Sequence, residues 1–524
     1  MRGLSVRDER SLKFAESELR RVLRRLSIEG LASHVHFQIL GRSHSGPLGD
    51  LKSDGFAIVP AAGEYQIVSR SARGLVYGVY GLLESLGCRW YFPGVEGEHV
   101  PLRPASPPGR MIVENPDTSH RSVVAFWDRT GAGRQERIRE NLDFAVRSRY
   151  NCFYLHWPQG LHSAMKLARD HGGGLDIGIK LHIARQLLPT RLFSSHPEWF
   201  RLQDGKRTRD YNLCVSNPQA LAEVTRNAQK LTESMDVDIT DYSYWQDDVP
   251  NAWCQCPSCS RLSSSEQNLR LMKAILKGVK AHTPRGQVSY LAYYATVAPP
   301  QSSSIPKGLF LEFAPHACCY RHDLDDPRCP KNAALVEHLK QNLERFGTKT
   351  SRVFEYWLDV ALFSSYRSPV RRLPLLMDRI SHDVSFYRGL GLTEVETVQW
   401  MLPAGVENAP EVANPGFALL PRLLWNPRQD VAGFVREFSR NFYGSERASA
   451  VLRAAAQADR VNPRYLCTPN DRGSGPKQAA RLLKQAVERC QELEGAVTGH
   501  HRERLVGLRK ALRYDLKRAE AGDA

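Results

Sequence analysis

The 524-residue chain lacks most of the short signatures that assign a chemistry directly. It contains no run of about 18 apolar residues, so no membrane-crossing helix is expected. Its first residues, MRGLSVRDERSLKF, are basic but contain no apolar h-region, so no secretory leader is read there. It has no GxSxG elbow, no P-loop and no HExxH pair. This excludes the nucleophile-elbow hydrolases, the P-loop phosphate binders and the zincin proteases as recognised by those motifs. No glycine-rich turn follows a strand, which argues against a dinucleotide-binding sheet. No repeat of 20–50 residues is found, and no nucleic-acid-binding motif. The 11 cysteines are dispersed and odd in number, unlike a small disulfide scaffold.

What is present is ordinary for a folded chain: 42% hydrophobic and 24% charged residues. The net charge of +16 allows an acidic partner such as nucleic acid or an anionic glycan, but the basic residues are dispersed, with local density near the two ends (Arg20, Arg21, Arg24, Arg25; Arg509, Lys510, Arg513, Lys517, Arg518). Both ends have helical apolar spacing, so these charges read as solvated helix faces. Neither nucleic acid nor a membrane is an expected partner, and the oligomeric state is not readable. The chain as written points to the cytoplasm. An export signal would have to lie upstream of Met1.

Three regions are read. Residues 1–112 form a small α/β domain: a helix over 9–27, strands VHFQIL (35–40), GFAIVP (55–60) and EYQIVSRS (64–71), and a helix ending at Gly87. Residues 113–412 alternate short apolar strands with helices. The strands are SVVAFW (122–127), NCFYLHW (151–157), DIGIKLHI (176–183), VDITDYSYW (237–245), QVSYLAYYA (287–295), GLFLEFAP (308–315), RVFEYWL (352–358) and LTEVETVQW (392–400). Eight such units predict an α/β fold, a (β/α)8 TIM barrel, over an open sheet. Residues 413–524 read as a helical C-terminal region.

In such a barrel the chemistry lies just past the C-terminal ends of the strands. The sharpest feature there is Asp247-Asp248, after Trp245. Two adjacent carboxylates cannot both ionise cheaply, so one becomes a proton donor and the other an anion. Glycoside cleavage needs that division. Neighbours in a strand point to opposite faces, so both reach one site only where the strand ends or bulges. A solvated acid pair is the plainer alternative. Glu355 is a third candidate carboxylate, or a core-edge ion pair. Trp127, His156, Trp157, Asn212, Tyr294, His316, Trp357, Glu396 and Trp400 are candidate substrate contacts, since flat rings stack on sugar faces. Asn212 is equally readable as a turn residue. No cofactor and no catalytic metal is expected. Cys254, Cys256 and Cys259 in WCQCPSC could hold a structural metal with a fourth ligand from elsewhere, or brace a loop.

Several segments together carry a resemblance. SRSARGLVYGVYGLLESLGCRWYFPG resembles the accessory domain that precedes the barrel in family 20 hexosaminidases and α-glucuronidases. HPEWFRLQDGKR (196–207), NLCVSNP (212–218), YWQDDVPNAWCQCPSC (244–259) and LLWNPRQD (423–430) resemble the domain-of-unknown-function 4838 group, which includes the endo-acting β-N-acetylglucosaminidases of glycoside hydrolase family 163. The resemblance implies a carbohydrate substrate and a glycosidase acting on a β-linked, N-acetylated glycan with assistance from the acetamido group. Alternatives are a non-catalytic glycan binder and an α-glucuronidase-like hydrolase. Members of the group usually show Asn-Asp where this chain has Asp247-Asp248. Asp248 thus matches the family acid, while Asp247 departs from the pattern. By analogy with related hexosaminidases, Asp247 would orient the acetamido group and Asp248 would protonate the leaving oxygen. The departure leaves Glu355, or a carboxylate on the last strand, as the other candidate.

Overall fold

The structure is a computed structural model that describes the chain except residues 1–4, 42–45, 47, 127–133, 157–160, 236–238, 303, 364–371, 401–413, 462–474 and 522–524. The first helix, Val6–Arg25, begins at a capping box: Ser5 and Asp8 each accept a hydrogen bond from the other's backbone N–H. A four-stranded sheet follows in the order Val35–Ile39, Glu64–Ser69, Phe56–Ala61, Ile112–Glu114. The hairpin between Phe56–Ala61 and Glu64–Ser69 turns on Ala62 and Gly63 alone, both left-handed at φ 50° and 88°. That backbone twist matches the flanking strands. Helix Ala72–Ser85 lies against this sheet so closely that glycine is required. A Cβ at Gly78 would sit 2.3 Å from Ile67 Cγ2, and one at Gly81 2.6 Å from the Phe56 ring.

Eight parallel strands then close a barrel: His120–Phe126, Cys152–His156, Asp176–His182, Asp241–Trp245, Gln287–Ala292, Leu309–Phe313, Ser351–Leu358 and Glu394–Trp400. All eight expected strands are present, including DIGIKLHI as the third. Helices Arg134–Arg147, Pro218–Glu233, Ser264–His282, Pro330–Phe346 and Met377–Gly389 cover the outside. Helices Gly416–Trp425, Val431–Tyr443, Ala448–Val461, Gly475–Glu494 and Gly499–Glu520 complete the chain. One apolar core runs from Ala15 in the first helix to Ala519 in the last.

The N-terminal layer is fastened to the start of the barrel strands. Buried Asp54 accepts from Arg121 Nη2 at 2.7 Å, Asn151 Nδ2 at 2.9 Å and Arg73 Nε at 2.8 Å. Burial alone would raise its carboxyl, but Arg73 and Arg121 outweigh that and hold it low. Trp425 lies beneath, with the guanidinium carbons of Arg121 and Arg149 at 5.2 and 4.9 Å from its ring centroid. A cavity of about 770 Å³ remains between this layer and the barrel, lined by Lys52, Glu84, Arg89, Asp117, Arg149 and Trp425; the accessory layer leaves the C-terminal ends of the barrel strands, where barrel chemistry is expected, uncovered.

Candidate active site

Alternation along the strands decides which side chains face the barrel axis. Tyr154, Trp245, Leu291, Tyr293, Ala314, Phe354, Tyr356 and Val398 pack on one another inside. Deeper in, Lys180 is fully buried between two carboxylates, Glu312 and Glu396, with its Nζ 2.6 Å from Glu396 Oε2. Glu396 also meets His120 Nε2 at 3.1 Å. Burial pushes Glu396 upward, but Lys180 and His120 outweigh it and hold the carboxyl low. Burial raises Glu312, and the Glu396 charge adds to that rise. Trp245 Nε1 donates to Ser289 Oγ at 2.6 Å and Glu312 Oε2 at 2.9 Å, fixing its ring above this plug.

Above the plug the interior becomes a connected aromatic surface. His182 lies 5.0 Å from Trp245 and 6.4 Å from Tyr293, ring centre to ring centre. Tyr293 contacts Tyr294 at 4.0 Å and His316 at 5.3 Å, and His316 meets Tyr356 at 4.9 Å. Tyr294 adopts a left-handed backbone at φ 48°, a strained state for a bulky residue. Such strain tends to persist at functional sites.

Asp248 is exposed just past the end of the fourth strand, and its charge acts on the groups of this aromatic surface. Burial raises the phenols of Tyr293 and Tyr356, and the Asp248 charge adds to both. Burial lowers the His316 imidazole, and Asp248 opposes that. The Tyr356 phenol also feels Asp359, which is buried at the end of the seventh strand. Two carboxylates from different strands thus flank one tyrosine.

Asp247 behaves differently from its neighbour. It is only 8% exposed. Its Oδ1 accepts from the backbone N–H of Arg185 at 3.2 Å, and its Oδ2 from that of Asn212 at 2.6 Å. Burial raises its carboxyl, and these two amides oppose the rise. Asn212 returns the contact: its Oδ1 accepts from Asp247 N–H at 3.0 Å, and its Nδ2 donates to Ala252 O at 2.9 Å. Asn212 can close this ring because its backbone is left-handed, φ 47°, which asparagine tolerates. Its side chain therefore holds the loop carrying Asp247 and Asp248.

The structure gathers Asp248, Tyr294 and His316 at the mouth, with Asp247 and Asn212 directly behind. Glu355, Trp357 and Glu396 are not brought there, contrary to the expectation from the sequence. Glu355 and Trp357 alternate with the inward Phe354 and Tyr356, so they face the outer helix Met377–Gly389. There Tyr387 Oη donates to Glu355 Oε1, and Trp357 Nε1 donates to Asp383 Oδ2 at 3.0 Å. Burial, reinforced by Asp383, pushes Glu355 up to about 8. Glu396 points inward but is sealed in the plug. Trp127 and Trp157 lie outside the described residues, as do the side chains of His156 and Trp400. From the sequence Tyr293 and Asp359 are noted at strand ends but not chosen as site residues, and Tyr356 is not noted. The signal that could have found Tyr293 and Tyr356 is their inward register at the C-terminal ends of strands five and seven.

The fold is that of the (β/α)8 barrels with a preceding α/β layer. Residues 94–455 match the family described as Domain of unknown function (DUF4838), and the chain belongs to that family. No curated protein matches it in sequence. Among solved structures it is similar to a GH138 enzyme targeting pectin rhamnogalacturonan II (TM-score 0.65, 12% identity, 98% of this chain and 68% of that one). It is also similar to a GH115 4-O-methyl-α-glucuronidase with specificity for decorated arabinogalactans (0.63, 11%, 98% and 70%). A third is the β-N-acetylhexosaminidase from Bacteroides fragilis NCTC 9343 (0.50, 12%, 78% and 84%). At these identities the likeness establishes the fold.

Proposed function

We propose that the protein is a glycoside hydrolase cleaving a β-linked, N-acetylated glycan, with Asp248 as the general acid. The observation that carries this reading is an exposed carboxylate, Asp248, just past the fourth barrel strand, whose charge acts on Tyr293, His316 and Tyr356. Such rings suit the apolar face of a sugar, and a solvent-accessible carboxyl beside them is the kind of group that glycosidic cleavage needs. In this reading Asp248 protonates the leaving oxygen while the substrate's own acetamido group attacks the anomeric carbon. Water then opens the cyclic intermediate, and Asp248 takes back a proton. Asp247 is a positioning residue, because both of its oxygens are already engaged by Arg185 and Asn212.

The similarity to barrels whose described members act on glycans supports the glycosidase class. A second reading is favoured by the two higher TM-scores, those of a rhamnogalacturonan II enzyme and a glucuronidase. Under it the substrate bears a uronic acid, and the net charge of +16 suits such a polymer. Screening aryl β-N-acetylhexosaminides, aryl glucuronides and N-glycans with wild type and Asp248→Ala tests both. Turnover of the first or third class, lost in the variant, supports the main reading. Turnover of glucuronides alone replaces it with the second. Glycan binding without turnover in wild type would refute both.

A further inference from the structure

Three of the cysteines noted in WCQCPSC meet a fourth that is distant in sequence. Cys214 belongs to NLCVSNP, between the third and fourth barrel strands. Its Sγ lies 3.6 Å from Cys256 Sγ and 3.9 Å from Cys259 Sγ. The sulfurs of Cys214, Cys254, Cys256 and Cys259 all lie within 4.8 Å of one another. None is more than 6% exposed. The separations are far beyond the roughly 2.05 Å of a sulfur–sulfur bond, and all four cysteines are free thiols.

Four sulfurs about 2.3 Å from a central zinc ion stand about 3.8 Å apart at the corners of a tetrahedron. The two distances above match that edge. An iron–sulfur cluster needs more room between its cysteines than one shared centre provides, so the spacing suits a single ion. The surroundings suit thiolates rather than packed thiols. Leu202 N–H points at Cys254 Sγ at 3.3 Å, and Arg207 Nη1 lies 3.9 Å from the same sulfur. Ser216 Oγ lies 3.0 Å from Cys259 Sγ. Gln267 fastens the knuckle backbone, accepting from Cys254 N–H at 3.1 Å and donating to the carbonyls of Cys254 and Cys259 at 3.2 and 3.1 Å. Donors directed at sulfur from a fixed backbone are what a metal–thiolate centre uses to hold its ligands.

We propose that Cys214, Cys254, Cys256 and Cys259 bind one structural zinc ion. With all four positions filled by sulfur, the ion has no open site for substrate or water. Its role is mechanical. Cys214 lies two residues past Asn212, and Cys254 lies two residues past Ala252. The ion therefore ties together the two segments that Asn212 joins beside Asp247, and it fixes the base of the loop bearing Asp248.

The test uses the full chain purified under reducing conditions without chelator. Metal analysis should find about one zinc per chain, released when a mercurial titrates the thiols. Cobalt(II) added to the zinc-stripped wild type should give the thiolate-to-cobalt charge transfer and the visible bands of a tetrahedral sulfur site. Cys214→Ser and Cys256→Ser should each lose nearly all bound zinc, whereas Cys490→Ser, buried elsewhere, should retain it. Folded wild-type protein that takes up neither zinc nor cobalt overturns the proposal, whether its four thiols titrate freely or are paired as disulfides. Stoichiometric iron in place of zinc overturns the assignment of the ion. Because the readout is metal content and spectrum, failure of the glycosidase reading leaves this result untouched.

Discussion

The division of labour between Asp247 and Asp248 can be forced apart by Asp247→Asn. In the structure Asp247 accepts two backbone N–H groups, from Arg185 and Asn212, in a site where it is 8% exposed. Asparagine offers one acceptor oxygen, so one buried N–H loses its partner. An unsatisfied buried donor costs about 1–3 kcal/mol. Asparagine also escapes the desolvation that raises the Asp247 carboxyl, which offsets part of that cost. The expected loss is therefore about 1 kcal/mol, or a melting-point drop of a few degrees at most. If Asp247 only braces the loop, kcat should fall less than about tenfold with KM little changed. Asp247→Ala, which removes both acceptors, should melt lower still. If Asp247 instead holds the substrate's acetamido group as an anion, Asp247→Asn should lose about 10²–10⁴ in kcat, the range for a positioned acid or base. Thermal melts and steady-state rates on an aryl N-acetylglucosaminide separate the two. A loss of that size at an unchanged melting point would refute the brace.

Other consequences follow from the same geometry. Glu355→Gln should leave kcat near wild type, because Glu355 faces Tyr387 outside the barrel; a loss of more than a hundredfold would return it to the site. Its carboxyl is raised from 4.5 to about 8, so between those pH values the native state binds more protons than the unfolded one. The wild type should lose stability as pH rises through that window, by at most about 1.4 kcal/mol per unit. Glu355→Gln should show a flatter melting profile there, and identical profiles would contradict the shift. Asp54→Ala removes the carboxylate that pairs the buried Arg121 guanidinium and should cost about 3–5 kcal/mol, read by denaturant unfolding; a loss under about 1 kcal/mol would show that Asp54 does not fasten the N-terminal layer.

The barrel was legible because each strand is a short apolar run bounded by polar turns, and eight such runs alternate with helices. The acid pair was legible because it directly follows such a run. What the sequence concealed was direction. RVFEYWL shows a carboxylate and a tryptophan near a strand end, but only the inward packing of Phe354 and Tyr356 reveals that Glu355 and Trp357 face the other way. Glu396 does face inward, and only its contact with Lys180 shows that it lies too deep to meet a ligand. The fourth cysteine was concealed by distance along the chain, since nothing local links Cys214 to the CxCxxC segment. Asn212 reads from the sequence as a sugar contact or a turn residue, and its left-handed backbone and bond to Ala252 support the second.

The central claim is that Asp248 delivers the proton to the leaving group. The most direct measurement compares Asp248→Ala with wild type on two aryl N-acetylglucosaminides, one with a poor leaving group and one whose phenol departs without protonation. The account predicts a fall of about 10²–10⁴ in kcat for the first and a much smaller fall for the second, with glycan binding retained. An equal rate in the variant and wild type on the poor leaving group would contradict it.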